Sequence, residues 1–139
     1  MRGVFQMSSI DVAKGKKIRF EGSTPILNVE NVPASIDYYV KVLGFRKDWS
    51  DGDPPTMASV SRDNSDIMLC QDAQGQPGTW IWIGVNDVEL LFEDCKTQGA
   101  KIRQEPTNYS WAYEMRIEDP DGHVLRIGSD PKEGEPYKD

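Results

Sequence analysis

The residues whose types and spacing could do chemistry in this 139-residue chain are four tryptophans, Trp49, Trp80, Trp82 and Trp111, and the chemistry they suggest is binding. An indole face stacks on flat ligands and attracts cations, on the order of 0.5–2 kcal/mol per contact. Trp49 lies among Asp48, Asp51 and Asp53, and Trp111 lies between Tyr109 and Tyr113. For Trp49 and Trp111 the residues leave three readings open: ligand contact, dimer interface or packing. Trp80 and Trp82 alternate within a short apolar run, so structural filling competes with ligand contact there. Glu114, Arg116 and Arg126 add charge. Arg116 can pair with Glu114 or Glu118, and Arg126 can hold a carboxylate or phosphate. The single histidine, His123, falls in the turn Asp119-Pro-Asp-Gly-His123 and reads as a turn residue. No imidazole is therefore placed to activate a serine or cysteine. Cys70 and Cys95 are too few for a disulfide scaffold and point to a reducing, cytoplasmic setting.

These groups need strands and helices to hold them. Residues 24–30 alternate after Pro25 and read as a strand. Asn31 is a helix N-cap, and Ile36, Tyr39, Val40 and Leu43 recur at helical spacing until Gly44. Tyr38 and Tyr39 belong to that helix's packing. Strands follow at 45–49, 56–62 and 65–71, and the pattern then restarts. A strand spans 79–86, Asp87 caps a second helix running to Gln98, and strands follow at 101–105, 111–118 and 122–128. Val29-Glu-Asn-Val32 aligns with Val85-Asn-Asp-Val88, a period of 56 residues. The fold class is therefore α+β: two βαβββ repeats, residues 23–71 and 79–130, joined by a linker at 72–78 and forming one domain over 23–130. The helices should lie on the convex side of a curved mixed sheet. Residues 1–22 form an N-terminal arm, which is an ordered strand, a flexible tail or a vector remnant. Residues 131–139 form a C-terminal tail expected to fray.

Strand alternation divides the side chains into two sets. Leu27, Val29, Ile67, Leu69, Ile81, Ile83, Met115, Ile117, Leu125 and Ile127 should pack under the helices. The opposite set holds Thr24, Ile26, Asn28, Asp66, Met68, Cys70, Trp80, Trp82, Glu114, Arg116, Glu118, Val124 and Arg126. Its mixture of indoles and charges suits a ligand-binding cup, with a partly solvated face or a dimer interface as the alternative.

Charge limits the partners. Residues 1–20 hold five basic side chains against one acidic, leaving 11 basic and 22 acidic for residues 21–139. A body that acidic repels nucleic-acid phosphates and anionic lipid and attracts cations, although acidity also simply keeps a protein soluble. No apolar run approaches the roughly 20 residues of a membrane span.

The motifs Pro25-Ile-Leu-Asn-Val-Glu-Asn-Val32, Ser35-Ile-Asp-Tyr-Tyr39, Leu43-Gly-Phe45 and Asp119-Pro-Asp-Gly-His123 resemble the vicinal oxygen chelate superfamily of glyoxalases, extradiol dioxygenases and bleomycin-resistance proteins. Metal enzymes of that superfamily carry His and Glu ligands at four inward positions. Here the resemblance places those positions at Thr24, Met68, Trp80 and Arg126, which implies no metal and no cofactor. The nearest likeness is to bleomycin-resistance proteins, through Leu43-Gly-Phe-Arg-Lys-Asp-Trp49, Trp80-Ile-Trp-Ile83 and Trp111-Ala-Tyr-Glu-Met-Arg-Ile-Glu-Asp-Pro120. It implies a homodimer, with or without exchange of N-terminal arms, that sequesters a cationic, aromatic antibiotic in clefts between subunits. The ligand contacts it implies are Trp49 and Trp111, with the acidic Asp48 and Asp51 beside Trp49. Trp80, Trp82, Tyr109, Tyr113, Glu114 and Arg126 complete the candidate set. Two other functions stand against it. One is a metal-independent enzyme in which Arg126 polarises a small anionic substrate and Glu114 is the general base. The other is a carrier or sensor for an unrelated metabolite.

Overall fold

The computed structural model describes residues 17–72 and 74–139, so the question of arm exchange falls outside the described residues apart from 17–22, which carry no helix or strand. The first repeat runs β1 (Ile26–Asn28), α1 (Val32–Asp37), a π-helical turn (Tyr38–Val42), β2 (Arg46–Gly52), β3 (Pro55–Arg62) and β4 (Ser65–Cys70). The second runs β5 (Trp80–Gly84), α2 (Val88–Thr97), β6 (Lys101–Asn108), β7 (Tyr113–Glu118) and β8 (Val124–Ser129). Each repeat makes its own four-stranded sheet, in the orders β1-β4-β3-β2 and β5-β8-β7-β6. β1 pairs with β4, and β5 with β8, in parallel; the other pairings are antiparallel. This is the expected α+β arrangement of two βαβββ units.

Both helix starts follow from their caps. The Asn31 side chain accepts from Ala34 N–H, and the Asp87 side chain accepts from Leu90 N–H, each satisfying a backbone donor that the helix itself cannot. Beneath the helices, Leu27, Val29, Ile67, Leu69, Met115, Ile117, Leu125 and Ile127 are buried, and Ile81 and Ile83 pack against them half-buried. Alternation thus placed that set correctly, and it forms one core spanning both repeats.

The β7–β8 turn sews the repeats together. The Tyr39 hydroxyl donates to Asp119 Oδ2 at 2.8 Å, and the Tyr38 hydroxyl donates to the Glu118 carbonyl. His123 is fully buried: its Nδ1 accepts from Thr79 N–H, so Nε2 carries the proton and donates to the Asn28 carbonyl at 2.6 Å. Glu30 N–H adds a bond to Asp121. The linker also has a structural place, because Gly75 lies against β1. A Cβ there would come within 2.7 Å of Asn28 N, so only glycine permits the approach.

The tail is not a loose end. Asn108 at the end of β6 donates to the carbonyls of Lys132 and Glu135 and accepts from Lys132 N–H, while Ser110 N–H donates to Asp139 Oδ1. A Lys/Glu/Gly/Pro composition reads as mobile in isolation, but a buried asparagine supplies the partners that hold this segment.

Candidate functional site

The strand registers define the face turned away from the helices. On the second sheet Trp82, Arg126 and Arg116 lie in one row across β5, β8 and β7. Gly84, Gly128 and Glu114 form the next row, and Trp80, Val124 and Glu118 the one on the other side. On the first sheet the corresponding central row is Ile26, Met68, Ser59 and Trp49. This open face is the sequence-derived set of indoles and charges, with Cys70 and Val124 buried among them as small fillers.

Glu114 organises the second sheet. Its side chain is 0% exposed, and its two oxygens accept four hydrogen bonds. Oε1 takes Trp111 Nε1–H at 2.9 Å and Arg126 Nη2–H at 2.8 Å; Oε2 takes Arg126 Nε–H at 2.9 Å and Arg116 Nε–H at 3.1 Å. Burial by itself would raise the carboxyl, but the bonds from Arg126, Trp111 and Arg116 outweigh it and hold its pKa at about 2. All of its roughly four lone-pair sites are used. A carboxylate so weakly basic and so fully bonded is a poor general base, and it has no site left for a ligand cation. Arg126 commits Nε–H and one Nη2–H to the same carboxylate, and these bonds raise its pKa.

The same contacts order the aromatics. Trp111 lies flat on Tyr109, with ring centroids 4.5 Å apart and planes 7° from parallel, while its N–H is tied to Glu114. The loop that makes this possible closes through Tyr109 N–H to the Ala112 carbonyl and is braced by Asn108 and Asp139. The Arg126 guanidinium sits 5.3 Å from the Trp82 ring, and those of Arg103 and Arg116 lie 5.4 and 5.5 Å from Trp80. Trp82 leans across β8 onto Gly128, where a Cβ would meet the indole at 2.6 Å. Trp49, Trp80, Trp82 and Trp111 remain 43%, 50%, 48% and 54% exposed, far more than such residues show in a core.

The remaining candidates are placed elsewhere. Asp48 is bonded to Arg46 and to the Ser61 and Ser59 hydroxyls, with Arg46 first among the causes that lower its pKa. Asp51 is exposed on β2. Tyr113 shares its face with Met115 and Ile117, on the helix side. Its hydroxyl donates to Glu89 of α2, and burial together with that carboxylate raises its pKa to about 12. It does not join the other aromatics. Cys95 is buried in α2, and burial raises its thiol to about 11, which leaves it unreactive. Sequence reasoning missed Arg103, Asn108, Asp139 and Gly128. Only Gly128 left a trace, as a glycine inside a strand.

Thr24, Met68, Trp80 and Arg126, the positions at which the resemblance would place metal ligands, offer a hydroxyl, a thioether, an indole and a guanidinium already bonded to Glu114, a donor set that does not suit a metal. Among the described residues no group of three or more His, Cys, Asp or Glu side chains is placed to hold an ion. A cleft of about 820 Å³ lies apart from Trp111 and Trp49, between the β3–β4 turn and the start of α2, with Phe45, Trp82, Leu91 and Leu125 in its lining. Among the described residues no helix is long and apolar enough to cross a membrane.

Paired βαβββ units, each with its own helix and four-stranded sheet, define the class of fold to which this chain belongs. The family model for the Glyoxalase/Bleomycin resistance protein/Dioxygenase superfamily matches residues 22–127, and the chain belongs to that superfamily. Solved structures agree in fold. TioX from Micromonospora sp. ML1 superposes with a TM-score of 0.70 at 21% identity, covering 78% of this chain and 98% of that one. The bleomycin-binding protein of bleomycin-producing Streptomyces verticillus, in complex with copper(II)-bleomycin, gives 0.63 at 22% identity, covering 83% and 99%. A superfamily member from Sphaerobacter thermophilus DSM 20745 gives 0.66 at 19% identity, covering 77% and 94%. No curated relative matches the chain significantly.

Proposed function

We propose that this protein is a non-catalytic binder that sequesters a planar aromatic small molecule of the antibiotic kind, by stacking it on Trp111. The observation that carries this reading is the state of that indole: fixed by Tyr109 on one face and by Glu114 at its N–H, yet half exposed. A plate already immobile in the free protein loses little entropy when a ligand lands on it, so more of the stacking energy appears as affinity. The low basicity of Glu114 and the absence of a ligand set for metal chemistry favour binding over the enzymatic alternative.

The cleft is completed by a second copy of the chain. Among the described residues no hydrogen bond, ion pair or ring contact joins Trp49 to the second sheet, and every residue of β2 is exposed. A homodimer that sets the first sheet of one copy against the second sheet of the other covers four half-exposed indoles at once. Two buried free thiols fit a reducing, cytoplasmic home.

Titration with metal-free bleomycin and with neutral naphthalene-2-carboxamide, following tryptophan fluorescence, tests the reading. Saturable quenching by at least one of them, lost in Trp111→Ala, is expected. Silence from both overturns it.

A further inference from the structure

We infer that the aromatic ligand carries an anionic group, a carboxylate or phosphate, seated by Arg116 and Arg103 beside Trp80 on the second sheet. This inference rests on the stacking reading above and adds the charge of the ligand to it.

The acidity of the whole chain points the other way, toward a cation, but the open face of the second sheet is locally basic. Arg103, Arg116, Arg126 and Lys101 stand there against Glu114 and Glu118. The buried carboxylate on this face, Glu114, has its four acceptor sites filled from within. A ligand ammonium therefore meets guanidinium groups and no open acceptor on Glu114.

The donors, in contrast, are not exhausted. Arg116 spends only Nε–H on Glu114, and among the described residues neither of its terminal nitrogens has a hydrogen-bond partner. Arg103 makes a 3.7 Å ion pair to Glu118, too long for a hydrogen bond, and among the described residues its side chain is otherwise held only by the Trp80 ring. Both guanidinium groups lie within 5.5 Å of the same indole, so their charges converge on one small area. The side chains of Arg116 and Arg103 are 27% and 48% exposed, open enough to be reached and packed enough to be held. Planar guanidinium forks match carboxylate and phosphate oxygens, and oriented donors on an aromatic floor lose little freedom on binding.

Three planar bicyclic probes of similar size separate the charge claim from the stacking claim: 2-naphthoate, naphthalene-2-carboxamide and N-methylquinolinium, each followed by tryptophan quenching and calorimetry. The naphthoate should bind about tenfold tighter than the carboxamide, with the cation weakest. Arg116→Gln should erase the naphthoate's advantage and leave carboxamide binding within about twofold, while Arg116→Lys should keep part of it. Added salt should weaken naphthoate binding alone. If the cation binds as tightly as the naphthoate or tighter, the charge assignment is overturned and stacking survives. If Arg116→Gln leaves the preference intact, the seat is not at Arg116. If none of the three binds, both readings fall.

Discussion

The two sheets are built on one plan, yet their open faces differ in kind. With β1 superposed on β5 at an offset of 56 residues, Ile26 corresponds to Trp82, and the registers carry the match across the strands. Met68 then corresponds to Arg126, Ser59 to Arg116, Met57 to Glu114 and Cys70 to Gly128. The first sheet shows two thioethers and a hydroxyl where the second shows two guanidinium groups around a carboxylate. A repeated backbone thus supplies equivalent seats, and the side chains decide which half is specialised. The first sheet offers one indole, Trp49, on a fully exposed strand; the second offers three, each held in place by a polar contact, a ring or a close glycine.

The contrast can be broken from its strongest point. Glu114→Ala leaves Arg116 and Arg126 without their anion and frees the Trp111 N–H. The loss should be about 2–3 kcal/mol of unfolding free energy, below the usual range for a fully buried pair because both arginines are partly exposed. Met57→Ala, at the matching seat of the first sheet, should cost under about 1.5 kcal/mol, because Met57 is only half-buried and carries no network. Chemical denaturation of both variants checks the pair.

Gly128→Ala should come next. A methyl group there collides with the Trp82 ring and crowds Glu114 Cβ at 3.1 Å, so the indole must move, at about 1–3 kcal/mol. Cys70→Ala in the first sheet should be milder, and the near-ultraviolet circular dichroism of the tryptophans should change only in the Gly128 variant. Acid sharpens the same difference. Glu114 has a folded pKa of about 2 against an ordinary 4.5, so its contribution to stability is complete above about pH 4.5 and is lost as the pH falls toward 2. Melting temperature should therefore drop across that interval in the parent protein, with a shallower slope in Glu114→Gln. The smallest effect belongs to the tail. Asp139→Ala should leave stability within about 0.5 kcal/mol yet weaken ligand binding a few-fold, because it loosens the loop that presents Trp111.

Much of this was legible from residue types alone. The two N-caps, Asn31 and Asp87, marked the helix starts, and period-two alternation sorted the core from the open face. The expected strand 111–118 starts too early: β7 begins only at Tyr113, and in the loop before it Trp111 folds back to reach Glu114. Tyr113, expected among the ligand contacts, keeps the parity of Met115 and Ile117 and takes the helix side. Whole-chain charge and local charge differ here for a physical reason: the acidic residues are spread over the body, whereas Lys101, Arg103, Arg116 and Arg126 gather around Glu114 and Glu118 on the second sheet. The bonds from Asn108 to the tail span 24 to 28 residues and join segments with no shared periodicity, so no local pattern could announce them.

The anchored tail has a practical consequence for handling the protein. Asp139 accepts from Ser110 N–H, one residue from the Trp111 plate, so a fluorophore or spin label attached at position 139 would stand beside that indole. Binding measured with such a label reports on the label as well as on the protein.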